Sequence, residues 1–395
     1  MRSRALVRTR WVGACACAAL VLAGCGAATS GTSAITVSGK TLIVYESQPP
    51  GPPDATTTDI LDAERLALPK GGLKVGRYTV EPVVVHSGEL SANARAALQD
   101  HQQDAIAYLG ELQPGTSQVS VEILNQQGLL EVSPADTAVY LTQLIPPVST
   151  SLDTFYPGHS TYQETFARVV PNSGQEAKAL VGEMQAERVS KLYVTDDGSL
   201  YGRALAIEVS SDAKAAGLTP VTSASAADGA FYGASLTSAA ASAGATHALD
   251  GLAASNAAAK LFAPSGLYDD SFVAGLSPAA QQALFVSSPG FLPQDLPTAG
   301  RTFVSDFKRA YGHEPVPQAV FGYEAMSAVL AVLAEAKTSA DNRALVVTDF
   351  RDLKRQNSAI GTYSISHGDP SIAPIIFSRV RGGQLHPFKF VQLSG

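Results

Sequence analysis

Short apolar runs alternate with helical patterns along most of this chain, and this alternation constrains the fold more than any other feature. Strand-forming runs lie at 42–45, 78–86, 105–109, 129–132, 165–170, 192–195, 218–221 and 247–252. Helix-favouring stretches such as 58–68, 92–100 and 203–215 lie between them. Residues 83–85 are three consecutive valines, as in a strand that is buried on both faces of a parallel sheet. The pattern predicts an α/β chain of repeated strand-helix units.

The last third of the chain continues this order and then changes. Residues 300–310 and 320–337 favour helices, and the second of these is apolar nearly all round, which predicts burial. Two strand-forming runs at 375–379 and 388–391 predict a closing hairpin. Residues 222–246 are dominated by Ala, Ser and Gly, so their pattern indicates little.

The first residues read as an export signal. Arg2, Arg4, Arg8 and Arg10 precede an apolar run at 11–23 that is too short to span a membrane comfortably. We therefore predict a signal peptide over residues 1–24.

Cys25 directly follows Leu22-Ala23-Gly24, and this ending resembles the lipobox of bacterial lipoproteins. That resemblance implies cleavage before Cys25 and acylation of the new N-terminus, with the protein on the outer face of the cell membrane. The alternative is an ordinary secretory signal in which the cysteine occurs by chance.

The chain after the signal is acidic and has no cysteine besides Cys25. Cys15, Cys17 and Cys25 are the only three, which excludes a disulfide, a thiol nucleophile and a cysteine metal site in the folded body. Removal of residues 1–24 takes away four arginines and no acids, so the formal charge changes from −7 to −11. That balance argues against nucleic acid as a partner.

Length predicts more than one domain. Residues 25–40 are rich in Gly, Ala, Ser and Thr and read as a flexible tether, after which the folded body begins near Thr41. The roughly 370 residues after the signal are too many for one ordinary domain and predict two lobes.

No local motif of catalysis or metal binding is present. Gly39-Lys40-Thr41 ends like a phosphate-binding loop, but Ala34 stands where that motif needs glycine, and a strand follows the motif instead of preceding it. The seven histidines are scattered without metal spacing. A catalytic triad is defined by geometry, so sequence alone does not exclude one. We predict no enzymatic activity, no metal and no cofactor.

Four segments resemble one known family. Residues 196–203 (DDGSLYGR) are similar to the second-lobe motif of branched-chain amino-acid binding proteins, which are the type I periplasmic binding proteins of ABC importers. Residues 105–117, 132–137 and 303–325 (FVSDFKRAYGHEPVPQAVFGYEA) match other segments of that family in the same order. The resemblance extends from about Thr41 to the end of the chain.

This resemblance implies an α/β fold of two doubly wound Rossmann-like lobes, joined by three crossovers and closing on a small molecule by a hinge. It places lobe 1 at 41–154 and 288–358 and lobe 2 at 155–287 and 359–395. The crossovers would fall near 155–168, 287 and 358–361.

It also implies a function. The chain would be a monomeric, lipid-anchored solute-binding protein that captures a small polar ligand, an amino acid or a related compound, and delivers it to an ABC transporter permease. The alternative is a ligand-binding sensor lipoprotein of the same fold without a transport role.

The ligand-binding residues follow from the family's loops. Backbone amides and a hydroxyl in Gln113 to Ser117 and Ala135 to Thr137 would hold the ligand's carboxylate, and Tyr201 would face it. Ser265 stands where the family places an acid for the ligand's ammonium group, so either Asp136 or Asp269 replaces that acid or the ligand is not an amino acid. The predicted ligand-binding residues are Ser47, Gln113, Gly115, Thr116, Ser117, Ala135, Asp136, Thr137, Tyr201, Leu252 and Ser265.

Overall fold

The structure is a computed structural model that describes residues 35–49, 53–69, 72–86 and 104–394. These described residues cluster into one compact unit. The predicted signal peptide, Cys25 and the predicted helix at 92–100 lie outside the described residues.

The first sheet has six strands in the order β2-β3-β1-β4-β5-β6, and all neighbours are parallel except β2 and β3. Its strands are β1 (Thr41–Gln48), β2 (Leu73–Val75), β3 (Tyr78–His86), β4 (Ala105–Leu109), β5 (Leu130–Ser133) and β6 (Phe166–Arg168). The helices between them are α1 (Ala55–Ala67), α2 (Ser117–Asn125) and the short α3 (His159–Tyr162). The connections are those of a doubly wound parallel sheet.

The second sheet begins with a parallel group of strands. It contains β7 (Lys191–Asp196), β8 (Thr219–Pro220), β9 (Gly229–Gly233), β10 (Lys260–Ala263) and β11 (Leu284–Pro289). The antiparallel pair β15 (Ile372–Arg381) and β16 (Gln384–Ser394) completes the order β16-β15-β11-β10-β9-β7-β8. Its helices are α4 (Ser173–Ala186), α5 (Leu200–Ala215), α6 (Ala239–Ser255), α7 (Asp270–Ala274) and α8 (Pro278–Ala283).

The segment between β11 and β15 supplies three helices and a small third sheet. The helices are α9 (Thr298–Tyr311), α10 (Ala319–Ala336) and α11 (Arg343–Arg351), and the strands are β12 (Lys354–Ser358), β13 (Gly361–Ser366) and β14 (Asp369–Pro370). The chain therefore passes between the two large sheets three times, after β6, after β11 and before β15. The two-lobe fold is confirmed.

One strand belongs to a different sheet from the one that the predicted lobe boundary implies. Strand β6 pairs with β5 in the first sheet, although a boundary at residue 154 assigns it to the second lobe. The backbone N–H of Arg168 in β6 donates to the carbonyl of Gly368, so the third sheet also adjoins the first-sheet side. The lobe boundaries themselves stay a prediction.

Most predicted elements occur where the patterns placed them. The predicted bounds of β3 and β4 match the structure, and the closing hairpin is β15 and β16. The strand predicted at 247–252 is wrong, because those residues lie inside α6. The many alanines of α6 favour helix along the whole segment, and this preference exceeds the strand preference of the few apolar residues at 247–252. The strand of this region is β9, within the low-complexity stretch.

The folded body begins before Thr41, so the predicted tether at 25–40 is too long. Thr36 forms a β-bridge with Asn342, and the backbone N–H of Val37 donates to the carbonyl of Asp341 at 2.8 Å. The Val37 side chain is buried in the core that also contains α10.

Helix α10 is the central core helix of the first-sheet side, and its burial was predicted from its apolar surface. Among the described residues, Ala319–Ser339 is the one stretch long and apolar enough to cross a membrane, but 67% of its apolar window is buried inside the structure. It packs closely on α1, since a Cβ at Gly322 would lie 2.4 Å from the carbonyl oxygen of Ile60. This close approach requires glycine.

Replacement of Gly322 by alanine should therefore destabilise the protein, although alanine is the better helix former. We expect Gly322→Ala to lower the free energy of unfolding by about 1–3 kcal/mol because α1 and α10 must separate. Gly182→Ala in α4 is the matched control, because no atom lies within 4 Å of its added Cβ. That change should raise the free energy of unfolding by about 0.5–1 kcal/mol. Urea denaturation measures both, and equal effects would contradict the close packing.

Candidate functional site

A cavity of about 350 Å³ lies where parallel strands of both large sheets end. Loops after β4, β5, β6, β9 and β10 contribute to its wall, together with the end of β11 and the start of α1 and of α10. The crevice beyond the carboxyl ends of parallel strands is where open α/β sheets bind small molecules. Its lining residues are Asp54, Thr56, Thr57, Ile60, Leu112, Gln113, Pro114, Pro134, Ala135, Val170, Ser235, Leu236, Ser238, Ala239, Ser242, Ser265, Gly266, Tyr268, Asp269, Ser271, Phe272, Ser288, Pro289, Gln318 and Phe321.

Three of the predicted residues line this cavity, namely Gln113, Ala135 and Ser265. Gly115, Thr116 and Tyr201 line a neighbouring cavity of about 310 Å³. The structure brings these six residues into adjacent loops from opposite sheets. Their contact with a ligand stays a prediction.

The side chain of Asp136 accepts hydrogen bonds from the backbone amides that were expected to hold a ligand's carboxylate. Its Oδ1 accepts from the backbone N–H of Gly115 at 2.7 Å and of Ala138 at 2.9 Å, and its Oδ2 accepts from that of Ser117 at 2.7 Å. The side chain is completely buried. Thr116, the residue that precedes α2, makes no side-chain cap bond, so Asp136 caps this helix from another loop. The amides of Gly115 and Ser117 therefore already have an anionic partner.

Thr137, Tyr201 and Ser265 meet beside the cavity. The Tyr201 hydroxyl lies 3.1 Å from the Thr137 Oγ1 and 3.4 Å from the Ser265 Oγ. Only 3% of Tyr201 is exposed, and burial raises the pKa of its hydroxyl well above the ordinary value. This hydroxyl thus joins loops of the two sheets as a neutral group.

An acid does lie next to Ser265, but it belongs to helix α4, which is distant in the sequence. Glu176 in α4 accepts from the backbone N–H of Ser265 at 2.6 Å and from its Oγ at 2.9 Å, and Ser287 donates to the same carboxyl at 2.7 Å. Glu176 is buried, and burial raises its pKa. Nothing in the sequence around Glu176 indicated this contact, because 89 residues separate it from Ser265.

Five predicted residues line neither cavity, namely Ser117, Asp136, Thr137, Ser47 and Leu252. Ser47 is completely buried in β1 and donates to the Glu111 carboxyl at 2.8 Å. Leu252 lies in α6 and packs in a hydrophobic core with Phe272 and other buried side chains. Its selection came from the family resemblance, and the strand predicted at 247–252 around it does not form. Asp269, considered as a replacement acid, does line the cavity and caps α7 by accepting from the Phe272 N–H at 2.6 Å.

Sequence reasoning missed several lining residues, of which Gln318 is the most informative. It lies at the start of α10 with 8% of its surface exposed, and its Nε2 donates to the Ser288 Oγ at 2.8 Å. Its Oε1 is buried and accepts no hydrogen bond from any described residue. Gln318 belongs to the segment 303–325 that carries the family resemblance, so that segment was the available signal.

No lysine, arginine or histidine lines the described cavity wall. Its two acids are Asp54 and Asp269, and Asp54 accepts from the Thr57 N–H at 2.7 Å as the N-cap of α1. Within the described ranges no group of three or more His, Cys, Asp and Glu side chains is arranged to hold a metal ion. The wall is therefore rich in hydroxyl groups and free of cationic side chains.

A cluster of buried acids lies beneath the loop of Asp136. Glu111 accepts from the Tyr108 hydroxyl at 2.7 Å and from Ser47, and its backbone carbonyl accepts from the Ser133 Oγ at 2.7 Å. Burial raises the pKa of Glu111 to about 7. Burial also raises the pKa of the neighbouring Glu131 well above its ordinary value.

Comparison with known proteins agrees with this geometry. A family model described as periplasmic binding protein matches residues 51–393. The structure is similar to a leucine-binding protein from Thermotoga maritima, with a TM-score of 0.69, 17% identity, and coverage of 89% of this chain and 98% of that one. No curated protein sequence matches the chain.

Two further solved structures carry bound ligands. A substrate-binding protein from Desulfitobacterium hafniense in complex with leucine has a TM-score of 0.68 and 20% identity, and covers 88% of this chain and 100% of that one. A solute-binding protein from R. palustris in complex with benzoate has a TM-score of 0.66 and 17% identity. The match covers 90% of this chain and 98% of that one. At these identities the likeness shows the fold alone.

The raised pKa of Glu111 should make the protein less stable as the pH rises. Between about pH 4.5 and 7 the unfolded chain releases the Glu111 proton while the folded protein keeps it, so the free energy of unfolding falls across this window and is level above it. Glu111→Gln cannot lose a proton and should not show this fall. Relative to wild type, the free energy of unfolding of the variant should therefore increase by up to about 3 kcal/mol from pH 4.5 to 7.5, at roughly 1.4 kcal/mol per pKa unit.

Urea denaturation at a series of pH values measures the difference. Glu122→Gln, at an exposed position of α2, controls for the loss of one acid. A constant difference between wild type and Glu111→Gln across the window would contradict a shifted carboxyl at this position.

Proposed function

Since the chain belongs to the periplasmic binding protein family, we propose that it is an extracytoplasmic, lipid-anchored protein that captures a small polar solute and delivers it to an ABC importer. It is a solute-binding protein and not an enzyme. In this proposal the protein works as a monomer on the outer face of the cell membrane, tethered through Cys25. The solute is an amino acid or a related compound.

The observation that carries the proposal is the cavity of about 350 Å³ at the carboxyl ends of strands from both large sheets. Its volume suits a small organic solute. Contacts between the two sets of loops lie at its edge, including the Ser235 hydroxyl that donates to the Pro114 carbonyl at 2.7 Å. Such contacts allow two lobes to close over a solute by a hinge.

The first test asks whether this cavity binds a solute. A solute present at about a hundred times its Kd should stabilise the full-length protein by about 2.7 kcal/mol. Ser242 lies on α6 and lines the cavity, so Ser242→Trp should fill it and weaken binding at least tenfold. Ser255→Trp, at an exposed position of the same helix, is the matched control and should bind as wild type does.

Thermal unfolding with leucine, isoleucine, benzoate, amides and polyols, followed by calorimetry of any solute that stabilises, measures these effects. A solute that binds Ser242→Trp as tightly as wild type would place the binding site elsewhere. If none of these solutes binds, the proposal of solute capture fails.

The second test concerns the anchor. Cys25 follows Leu22-Ala23-Gly24, which supports lipidation at this residue. We expect Cys25→Ser to abolish incorporation of labelled fatty acid and to move the protein from the membrane fraction to the soluble fraction. Cys17→Ser, within the predicted signal, should keep both. Equal membrane association of the two variants would contradict the anchor at Cys25.

A further inference from the structure

Side chains of the protein cover four of the helix N-termini around the cavity, whereas the N-terminus of α10 has no side-chain cap. Asp54 caps α1, Asp269 caps α7, and Ser238 caps α6 by accepting from the Ala241 N–H at 3.1 Å. The fourth, α2, is covered by Asp136. A free helix N-terminus attracts anions through its N–H groups and its dipole, and three of these four N-termini already carry a carboxylate.

Asp136 is the decisive carboxylate because it is the most enclosed. It is completely buried, and three backbone N–H groups within 2.9 Å converge on its two oxygens. A solute carboxylate could bind these amides only by displacing Asp136. Beside Asp136, it would meet a like charge in a region of low dielectric, where repulsion is strong.

The other two acids, Asp54 and Asp269, cannot pair with a solute anion, and neither forms a strong site for a solute cation. The N–H groups and the dipole of α1 compensate the charge of Asp54, and those of α7 compensate the charge of Asp269. The described wall has no cationic side chain that could pair with a solute anion. The wall therefore favours a solute without net charge.

Gln318 indicates which groups such a solute presents. Its amide Nε2 is bonded to Ser288, whereas its Oε1 has no donor among the described residues, and the side chain is more than nine-tenths buried in the wall. A buried amide oxygen without a donor is costly. A hydroxyl or amide N–H of a bound solute would supply that donor.

We propose that Asp136 is a built-in occupant of the anion-binding amides, so that this cavity takes an uncharged solute bearing hydroxyl or amide N–H donors and not a carboxylate. The inference rests on the proposed capture of a small polar solute, and it replaces the amino acid named there by an uncharged related compound such as an amide. It makes Asp136 a specificity-determining residue.

The test removes the built-in carboxylate and offers a free one. Asp136→Ala should be less stable than wild type, and sodium formate or acetate should restore its melting temperature, whereas sodium chloride at equal ionic strength should not. The same variant should bind leucine or benzoate at least tenfold more tightly than wild type does. Asp228→Ala is the matched control, because Asp228 accepts from the backbone N–H groups of Ser190 and Lys191 at an exposed site away from the cavity. Formate should not rescue that variant selectively.

Wild type provides the second arm, should Asp136→Ala fail to fold with or without formate. Stabilisation by uncharged probes such as propionamide, nicotinamide, ribitol or glucose, with weaker binding in Gln318→Leu, supports the proposal. Binding of leucine, benzoate or the cation putrescine in preference to every uncharged probe overturns it, while solute capture still stands. Absence of binding by any probe overturns the solute-binding function together with this inference. A folded Asp136→Ala that gains nothing from formate also overturns it.

Discussion

The buried carboxylate of Asp136 is the interaction on which the arrangement of the cavity loops depends. It ties the loop after β4, through the amides of Gly115 and Ser117, to the loop after β5. Arg168 reinforces the second loop from β6, because its guanidinium donates to the carbonyls of Asp136 and Ala138 and pairs with Asp369 at 2.9 Å. Asp136 and Arg168 are completely buried, and a buried charge without partners is strongly destabilising. Their partners must therefore stay in place, which preorganises this wall of the cavity.

The same constraint gives the region beneath and beside the cavity its chemical character. Glu111 and Glu131 lie below the Asp136 loop, and Glu176 holds Ser265 on the opposite side. Burial raises the pKa of all three carboxyls, so the protein keeps acids here in an environment that penalises further negative charge. On our proposal for Asp136, such a cavity discriminates between solutes by hydrogen bonding more than by charge pairing. The free energy of unfolding falls as the pH rises above the ordinary pKa of these acids, because the unfolded chain releases their protons while the folded protein keeps them.

Local pattern predicted most of the described strands and helices, since a buried parallel strand needs a short continuous apolar run. It failed in the Ala-rich region, where α6 replaces the strand expected at 247–252, because alanine carries little information about which face is buried. Leu252, which the family resemblance placed at the ligand, lies in this helix and packs in a hydrophobic core. The family resemblance located the loops of Gln113 and Ala135, and it left open whether any acid would stand near Ser265.

The sequence by itself determined the alternation of strands and helices, which depends on the order of residue types over short distances. Its length predicted two lobes, and its resemblance to a known family indicated how they are joined and which loops surround the cavity. Only the tertiary structure decided that Asp136 fills the amides of Gly115 and Ser117, and that Glu176 supports Ser265 across 89 residues of chain. A hydrogen bond is set by the distance between two atoms in space, and that distance depends on how whole sheets and helices pack.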